Sequence, residues 1–205
     1  RNIHDLGAVV RLGSRLGAVE FSISNVLAHN TELLNENLYM HSMSIVVGQE
    51  IRPLVHMPLM DIQPRTINAL SDVQKDMNRL ELSGSLLNQN TDQCPFVERG
   101  SLAVRWDGKV SPCLPLLYTH THFLDDRERT SKEYFVGDIQ ETDLLHIWNN
   151  GDYKDLRKRI QDFDFSPCAF CNSCEMANGN LEDCFGNIQP TCGGCLWARG
   201  LIRCP

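Results

Sequence analysis

Seven of the nine cysteines fall between Cys168 and Cys204, the other two are Cys94 and Cys113, and none precedes Cys94. Three pairs stand at two-residue spacing: Cys168 with Cys171, Cys171 with Cys174, and Cys192 with Cys195. Such a pair can turn both thiolates toward one metal centre, while the intervening backbone N–H groups offset the negative charge. An odd number of cysteines, in a chain without secretory features, reads as metal ligation ahead of a disulfide scaffold.

Two metal chemistries compete for these residues. Cys171-x2-Cys174 and Cys192-x2-Cys195 are separated by seventeen residues, a spacing suited to a four-cysteine zinc ribbon; Cys168-x2-Cys171 is the alternative leading pair. That reading leaves Cys94, Cys113, Cys184, Cys204 and one more cysteine without a role. Iron–sulfur clusters, each held by four thiolates, use the cysteines more fully, and Cys94-Pro95 and Cys204-Pro205 repeat a Cys-Pro pairing found in some cluster-binding runs. The surrounding tail is rich in Asn, Gly and Pro and poor in periodic apolar residues, so metal–thiolate bonds are expected to stabilise it.

The elements that would position these ligands follow from periodicity. Leu6, Val9, Val10, Leu12 and Leu16 mark a helix over Asn2 to Leu16, closed by Gly17, and AVEFSIS at 18–24 reads as a buried strand. TELLNENLYM reads as a helix with Thr31 as its N-cap. A further helix starts near Asp61 or Gln63 with Pro64 in its first turn, and 80–87 reads as a short strand. Asp107-Gly108 between SLAVRW and KVSPCL predicts a hairpin, with Cys94 just before it and Cys113 on its second strand. The charged segment 119–132, with Asp125, Asp126 and Glu128, reads as a solvated loop. Two helices follow, one carrying Leu144, Leu145, Ile147 and Trp148 and the other Tyr153, Leu156 and Ile160, with the break at Gly151.

Cys94, thirteen residues, Gly108, four residues and Cys113, followed by a clustered run ending CGGC and an isolated last cysteine, resemble the SPASM domain, the C-terminal extension of many radical SAM enzymes. The family pattern is C-x(9–15)-G-x4-C, a gap, C-x2-C-x5-C-x3-C, a gap, and C. CPFVERGSLAVRWDGKVSPC is similar to the family's hairpin, and VGDIQETDLLHIWNNGDYKDLRKRI to its helical connector. The tail CFGNIQPTCGGCLWARGLIRCP resembles maturases associated with tungsten-dependent aldehyde oxidoreductases.

The resemblance implies an α/β to α+β fold: the C-terminal strands and helices of a partial TIM barrel over 1–93, then a small SPASM domain over 94–205 with a hairpin, helices and cysteine-rich loops. By position it places Cys94, Cys113 and Cys195 on one auxiliary 4Fe-4S cluster, and Cys171, Cys174, Cys192 and Cys204 on a second. The run here is C-x2-C-x17-C-x2-C with Cys168 and Cys184 in addition. Individual ligand assignments therefore stay open, with one extra cysteine to complete the first cluster.

The C-x3-C-x2-C loop that presents an iron to S-adenosylmethionine is absent from 1–205. The sequence therefore reads as the C-terminal part of a longer radical SAM oxidoreductase or maturase that cleaves S-adenosylmethionine to a 5′-deoxyadenosyl radical. The implied partners are a peptide or protein substrate, including a tungsten-dependent oxidoreductase, and an electron donor such as ferredoxin or flavodoxin.

Other residues carry less. Asn25, at the end of strand 18–24, lies where barrel strands present functional side chains, and a contact to S-adenosylmethionine is conceivable there. His120 and His122 would share one face of an extended segment, but read first as solvated surface. Gly193 and Gly194 read as allowing close backbone approach at the cysteines, and Trp148 and Trp197 as packing residues. A net charge of −7, with scattered basic residues, argues against a nucleic-acid partner. Without an eighteen-residue apolar stretch or a signal peptide, a cytoplasmic location is the expectation.

Overall fold

The computed structural model describes residues 2–18, 20–36, 38, 63–75, 81–83, 92–124, 127–171 and 174–202. These form an α+β structure of short helices and three small sheets. Cys204, Asp125 and Asp126 lie outside the described residues.

A 3-10 turn at Ile3–Asp5 leads into helix α1, Leu6–Arg15, which ends where Gly17 takes φ +93°. Strand β1, Glu20–Ser22, pairs in parallel with β2, Glu81–Ser83, and helix α3, Pro64–Lys75, lies between them in sequence. Pro64 opens α3 where a missing N–H costs nothing. Gly7 lets α1 settle against α3: a Cβ there would stand 3.2 Å from the Cβ of Asp72. Helix α2 is short, Thr31–Leu34, and its N-cap is Asn30 rather than Thr31, with the Asn30 side chain accepting from Leu33 N at 3.0 Å. Asn30 has extended backbone and a short acceptor one residue before the first turn, which is what capping requires.

The second half opens with the short helix α4, Pro95–Glu98, a turn the sequence reading did not anticipate. Strands β3, Ala103–Val104, and β4, Lys109–Ser111, then form the hairpin, with Gly108 at φ +89° in its turn. Strand β7, Gly137–Asp138, adds antiparallel to β4 and completes a three-stranded sheet. Cys113 sits two residues beyond β4 rather than on it, and precedes a 3-10 turn at Leu114–Leu116.

The segment expected as a solvated loop is instead a second hairpin, β5, His120–Leu124, paired with β6, Arg127–Ser131. Its inward side chains are His122, Leu124 and Arg129, all buried, whereas Glu128 is exposed. His122 is thus not solvated surface.

Helices α5, Leu144–Asn149, and α6, Gly151–Asp162, are capped by Asp143 and Asn150, whose side chains accept from His146 N and from Asp152 N and Tyr153 N. Ile147 alone is buried on α5, while Leu144 and Leu145 are exposed. The apolar stripe of α6, Tyr153, Leu156 and Ile160, forms a core with Val97 and Phe165, against which Cys94 and Cys192 pack. A second core joins Leu124 of β5 to Ala169, Leu196, Leu201 and Ile202, so the cysteine-rich tail is held partly by burial. No helix of the described residues is long and apolar enough to cross a membrane.

Candidate metal centre

Four cysteines line one cavity of about 60 Å³: Cys94, Cys113, Cys192 and Cys195. Two come from the loops that flank the first hairpin, and two from either side of the Gly193-Gly194 turn, about eighty residues later in the chain. The cavity exceeds the roughly 10–15 Å³ that one water centre needs, and Val97, Pro112, Leu116, Ile160 and Leu196 give it apolar walls.

The local backbone aims N–H groups at three of these sulfurs. Phe96 and Val97, in the first turn of α4, donate toward Cys94; Leu116 donates toward Cys113; Trp197 and Ala198 donate toward Cys195. Each of these cysteines precedes a helical turn, where the first N–H groups have no intrahelical partner and point back at the preceding side chain.

As bare thiols the four oppose ionisation. Burial pushes Cys94 up to about 11, with the neighbouring Cys195 adding to the rise. Burial pushes Cys113 and Cys192 well above the ordinary thiol range, and each is raised further by other members of the group. Burial raises Cys195 too, against the N–H groups of Ala198 and Trp197 and the charges of Arg129 and Arg199. Four thiolates this deep need a cationic centre, and its binding must release their protons.

The β5–β6 hairpin supplies another part of the wall. His122 and Arg129 are directly paired across it and both line the cavity. Burial lowers His122 to about 3, with Arg129, His120 and His29 contributing, so the ring stays neutral. Arg129 Nη1 donates to the Gly194 carbonyl at 3.0 Å, and a Cβ at Gly194 would collide with the guanidinium. A Cβ at Gly193 would collide with the Ser166 carbonyl. Both glycines are therefore required by close approach, to Ser166 and Arg129 rather than to sulfur. Arg199 closes the far side of the turn, donating to the Gly193 carbonyl at 3.2 Å and pairing with Asp92.

The other described cysteines do not line this cavity. Cys168 is buried, with its sulfur 3.2 Å from Ser166 Oγ, and is close enough to Arg129 and Arg199 to act on their charge. Arg127 of β6 donates to the carbonyls of Cys171 and Cys174, at 2.6 and 3.3 Å, and so holds that loop. Cys184 is exposed on a turn organised by Asp183. None of the eight described cysteines is in a disulfide. The structure thus gathers Cys94, Cys113 and Cys195, and joins to them Cys192, which the resemblance had implied for the second group. Asn25 donates from Nδ2 to the Leu201 carbonyl at 2.8 Å, tying the segment after β1 to the tail.

His122 and Arg129 were missed as site residues. A period-two signal was present, with His120 and His122 on one face of one strand and Arg127 and Arg129 on one face of the next.

Residues 94–175 match the family model for SPASM, an iron–sulfur cluster-binding domain. Over that stretch the chain is similar to a SPASM domain. It is also 26% identical over 209 residues to the tungsten-containing aldehyde ferredoxin oxidoreductase cofactor-modifying protein of Pyrococcus furiosus, a match that covers 100% of this chain and 52% of that protein. The chain therefore spans about half the length of this curated relative. No solved structure matches it. The β3–β4 hairpin, β7, α5 and α6 all fall within the matched SPASM residues, while Cys192 and Cys195 lie beyond them.

Proposed function

We propose that Cys94, Cys113, Cys192 and Cys195 hold an auxiliary 4Fe-4S cluster in a protein that matures a peptide, protein or metallocofactor by radical SAM chemistry. The observation that carries this reading is the half-buried tetrad itself: four thiols round one largely apolar cavity, three of them facing backbone N–H donors. Among the described residues, no three His, Cys, Asp or Glu side chains close on a single metal ion. A four-iron cube needs its ligands spread around a larger body, and N–H groups directed at its sulfurs are a usual means of setting its potential.

Fit is further supported by the hydrogen-bond inventory. Two buried side-chain nitrogens on the wall of this cavity have no partner among the described residues: His122 Nδ1 and Arg129 Nε. Arg159 Nε is also without a partner, and its charge acts on Cys192. Unmet donors in one place indicate an acceptor-bearing group there.

When bound, such a cluster supplies a one-electron relay or an open iron for substrate. The protein's residues exclude water from it, compensate thiolate charge through Arg129, Arg159 and Arg199, and fix the CGGC turn from both sides. A second cluster is assigned to the remaining cysteines, with Cys168, Cys171 and Cys174 as leading candidates and Cys184 and Cys204 as the further donors. Residues 1–93 are read as the end of a partial TIM barrel, supported by the parallel pair β1–β2 with α3 between. Asn25 keeps its proposed contact to S-adenosylmethionine in the complete protein. The relative's name extends the proposal to a tungsten-dependent oxidoreductase as partner, and a low-potential donor such as ferredoxin or flavodoxin would supply the electrons.

Oxygen-free purification followed by iron, sulfide and zinc analysis tests this. About eight iron and eight sulfide per chain are expected for two clusters of four, with about half of each lost in Cys192→Ser or Cys195→Ser. Stoichiometric zinc without sulfide would replace the cluster reading with a zinc-stabilised module.

A further inference from the structure

His122 and Arg129 raise a question that the cysteine ligands do not answer. They are 5% and 4% exposed, directly opposite one another on β5 and β6, and each keeps a ring or guanidinium nitrogen without a partner. Leaving a buried donor unmet is costly, more so where charge is involved. A hairpin that places two such donors on the wall of one cavity must recover that cost from what the cavity holds.

The donors are held in place. Arg129 is fixed by its bond from Nη1 to the Gly194 carbonyl, which leaves Nε as the unused nitrogen. The His122 ring lies 5.5 Å from the ring of His120, which in turn lies 5.8 Å from His29. His120 and His29 donate their own Nδ1–H groups to the carbonyls of Tyr118 and Thr121, at 3.0 and 2.9 Å, so both neighbours are anchored to backbone. His122 has no such anchor, and its Nδ1 is left for another acceptor.

We infer that His122 and Arg129 donate N–H···S hydrogen bonds to the sulfur of the group held by the tetrad, and thereby set its reduction potential. This rests on the cavity taking an iron–sulfur cluster. Thiolate and cluster sulfide both carry lone pairs for a donor, and a cluster presents its sulfides in addition to the four thiolates that a zinc site would offer. One-electron reduction adds negative charge to the cluster, so N–H donors and a guanidinium stabilise the reduced form more than the oxidised one. Neither would be a ligand, so the cysteine set that holds the group is unchanged.

The test is an EPR-monitored redox titration of the protein purified without oxygen, with iron and sulfide measured on the same samples. His122→Phe and Arg129→Gln should keep their iron, and their midpoint should move to a more negative potential, the equilibrium constant for reduction falling roughly tenfold or more, as expected for loss of a charge-assisted hydrogen bond. His122→Gln and Arg129→Lys, which retain a donor, should recover much of the shift. Full cluster content with an unchanged midpoint in both His122→Phe and Arg129→Gln would overturn the inference and leave the cluster reading standing. Wild-type protein without iron and sulfide would overturn both together. Where a substitution costs the cluster, pulsed EPR of reduced wild-type protein enriched in 15N-histidine decides: a weak nitrogen coupling supports the hydrogen bond, and none refutes it.

Discussion

Gly193 and Gly194 offer a quantitative test of how the tetrad is built, because one alanine methyl would meet backbone and the other a side chain. At Gly193 the added Cβ would overlap the Ser166 carbonyl, which is held by the Cys168 N–H at 2.7 Å. At Gly194 it would overlap the Arg129 guanidinium, which can swing only by giving up its bond to the Gly194 carbonyl. Neither glycine has a left-handed φ, so crowding rather than backbone strain decides. Overpacking costs about 1–3 kcal/mol and a charge-assisted hydrogen bond about 1.5–3 kcal/mol. Because a partly relaxed arginine loses only part of each, Gly194→Ala should cost about 2–3 kcal/mol, or roughly 4–12 °C in Tm for a chain of this size. Gly193→Ala, with no flexible atom to yield, should cost more and strip the iron. The discriminating experiment is a double-mutant cycle by thermal or denaturant unfolding. In an Arg129→Ala background the methyl at 194 has room, and its cost should fall below about 1 kcal/mol, which gives a coupling of about 1–2 kcal/mol. Additive behaviour would refute the packing of Arg129 over the CGGC turn.

Asn180 is buried and takes both backbone groups of Lys132, accepting from its N at 2.8 Å and donating to its O at 2.9 Å. Asn180→Ala should therefore lower stability by about 2 kcal/mol, at about 1 kcal/mol per bond, and Asn180→Asp should fail to rescue it in the same unfolding assay. Arg105, bridging Asp107 at 2.8 Å and Glu133 at 3.1 Å, lowers the Asp107 carboxyl to about 2. The unfolded carboxyl titrates near 3.9, so this contribution is fully present above about pH 4 and is lost as pH falls through about 2; Asp107→Asn should flatten that part of the stability–pH curve. Gly137 lies against Ile147, whose side chain would come within 2.7 Å of an added Cβ. Gly137→Ala should loosen α5 from β7 at a cost of about 1–3 kcal/mol, seen as faster amide exchange over Leu144–Asn149, and Ile147→Val should relieve part of it.

The elements that could be read from sequence were those whose buried face is apolar. Tyr153, Leu156 and Ile160 repeat at helical spacing and are all buried on α6. Asp107-Gly108 marked the first hairpin because its turn requires positive φ at Gly108. The β5–β6 hairpin escaped because its inward positions are His122 and Arg129, so the alternation that betrays a strand is written in polar residues. The local rule failed where the wall of the metal centre lies, as is expected of a functional site. Thr31 was mistaken for a cap because Asn30, one position earlier, is an equally good acceptor, and only backbone geometry separates them. The pairing of Cys192 with Cys94 and Cys113 was out of reach of spacing, since it depends on a turn held between Ser166 and Arg129.

These observations change what the metal is asked to do for the fold. Leu196, Ala198, Leu201 and Ile202 are buried, and with Leu124 and Ala169 all except Ala198 form a core of their own. The tail is not short of apolar contacts. What burial cannot provide is a partner for four clustered thiols, for the N–H groups that face them, and for the unmet nitrogens of His122, Arg129 and Arg159. The four thiols, His122 and Arg129 share the wall of one space with Val97, Leu116, Ile160 and Leu196 among others. A closed zinc site would satisfy the thiolates and offer the donors only those four sulfurs. A body with iron inside and sulfur outside satisfies both, and for that reason the donor set favours an iron–sulfur cluster independently of the cysteine spacing.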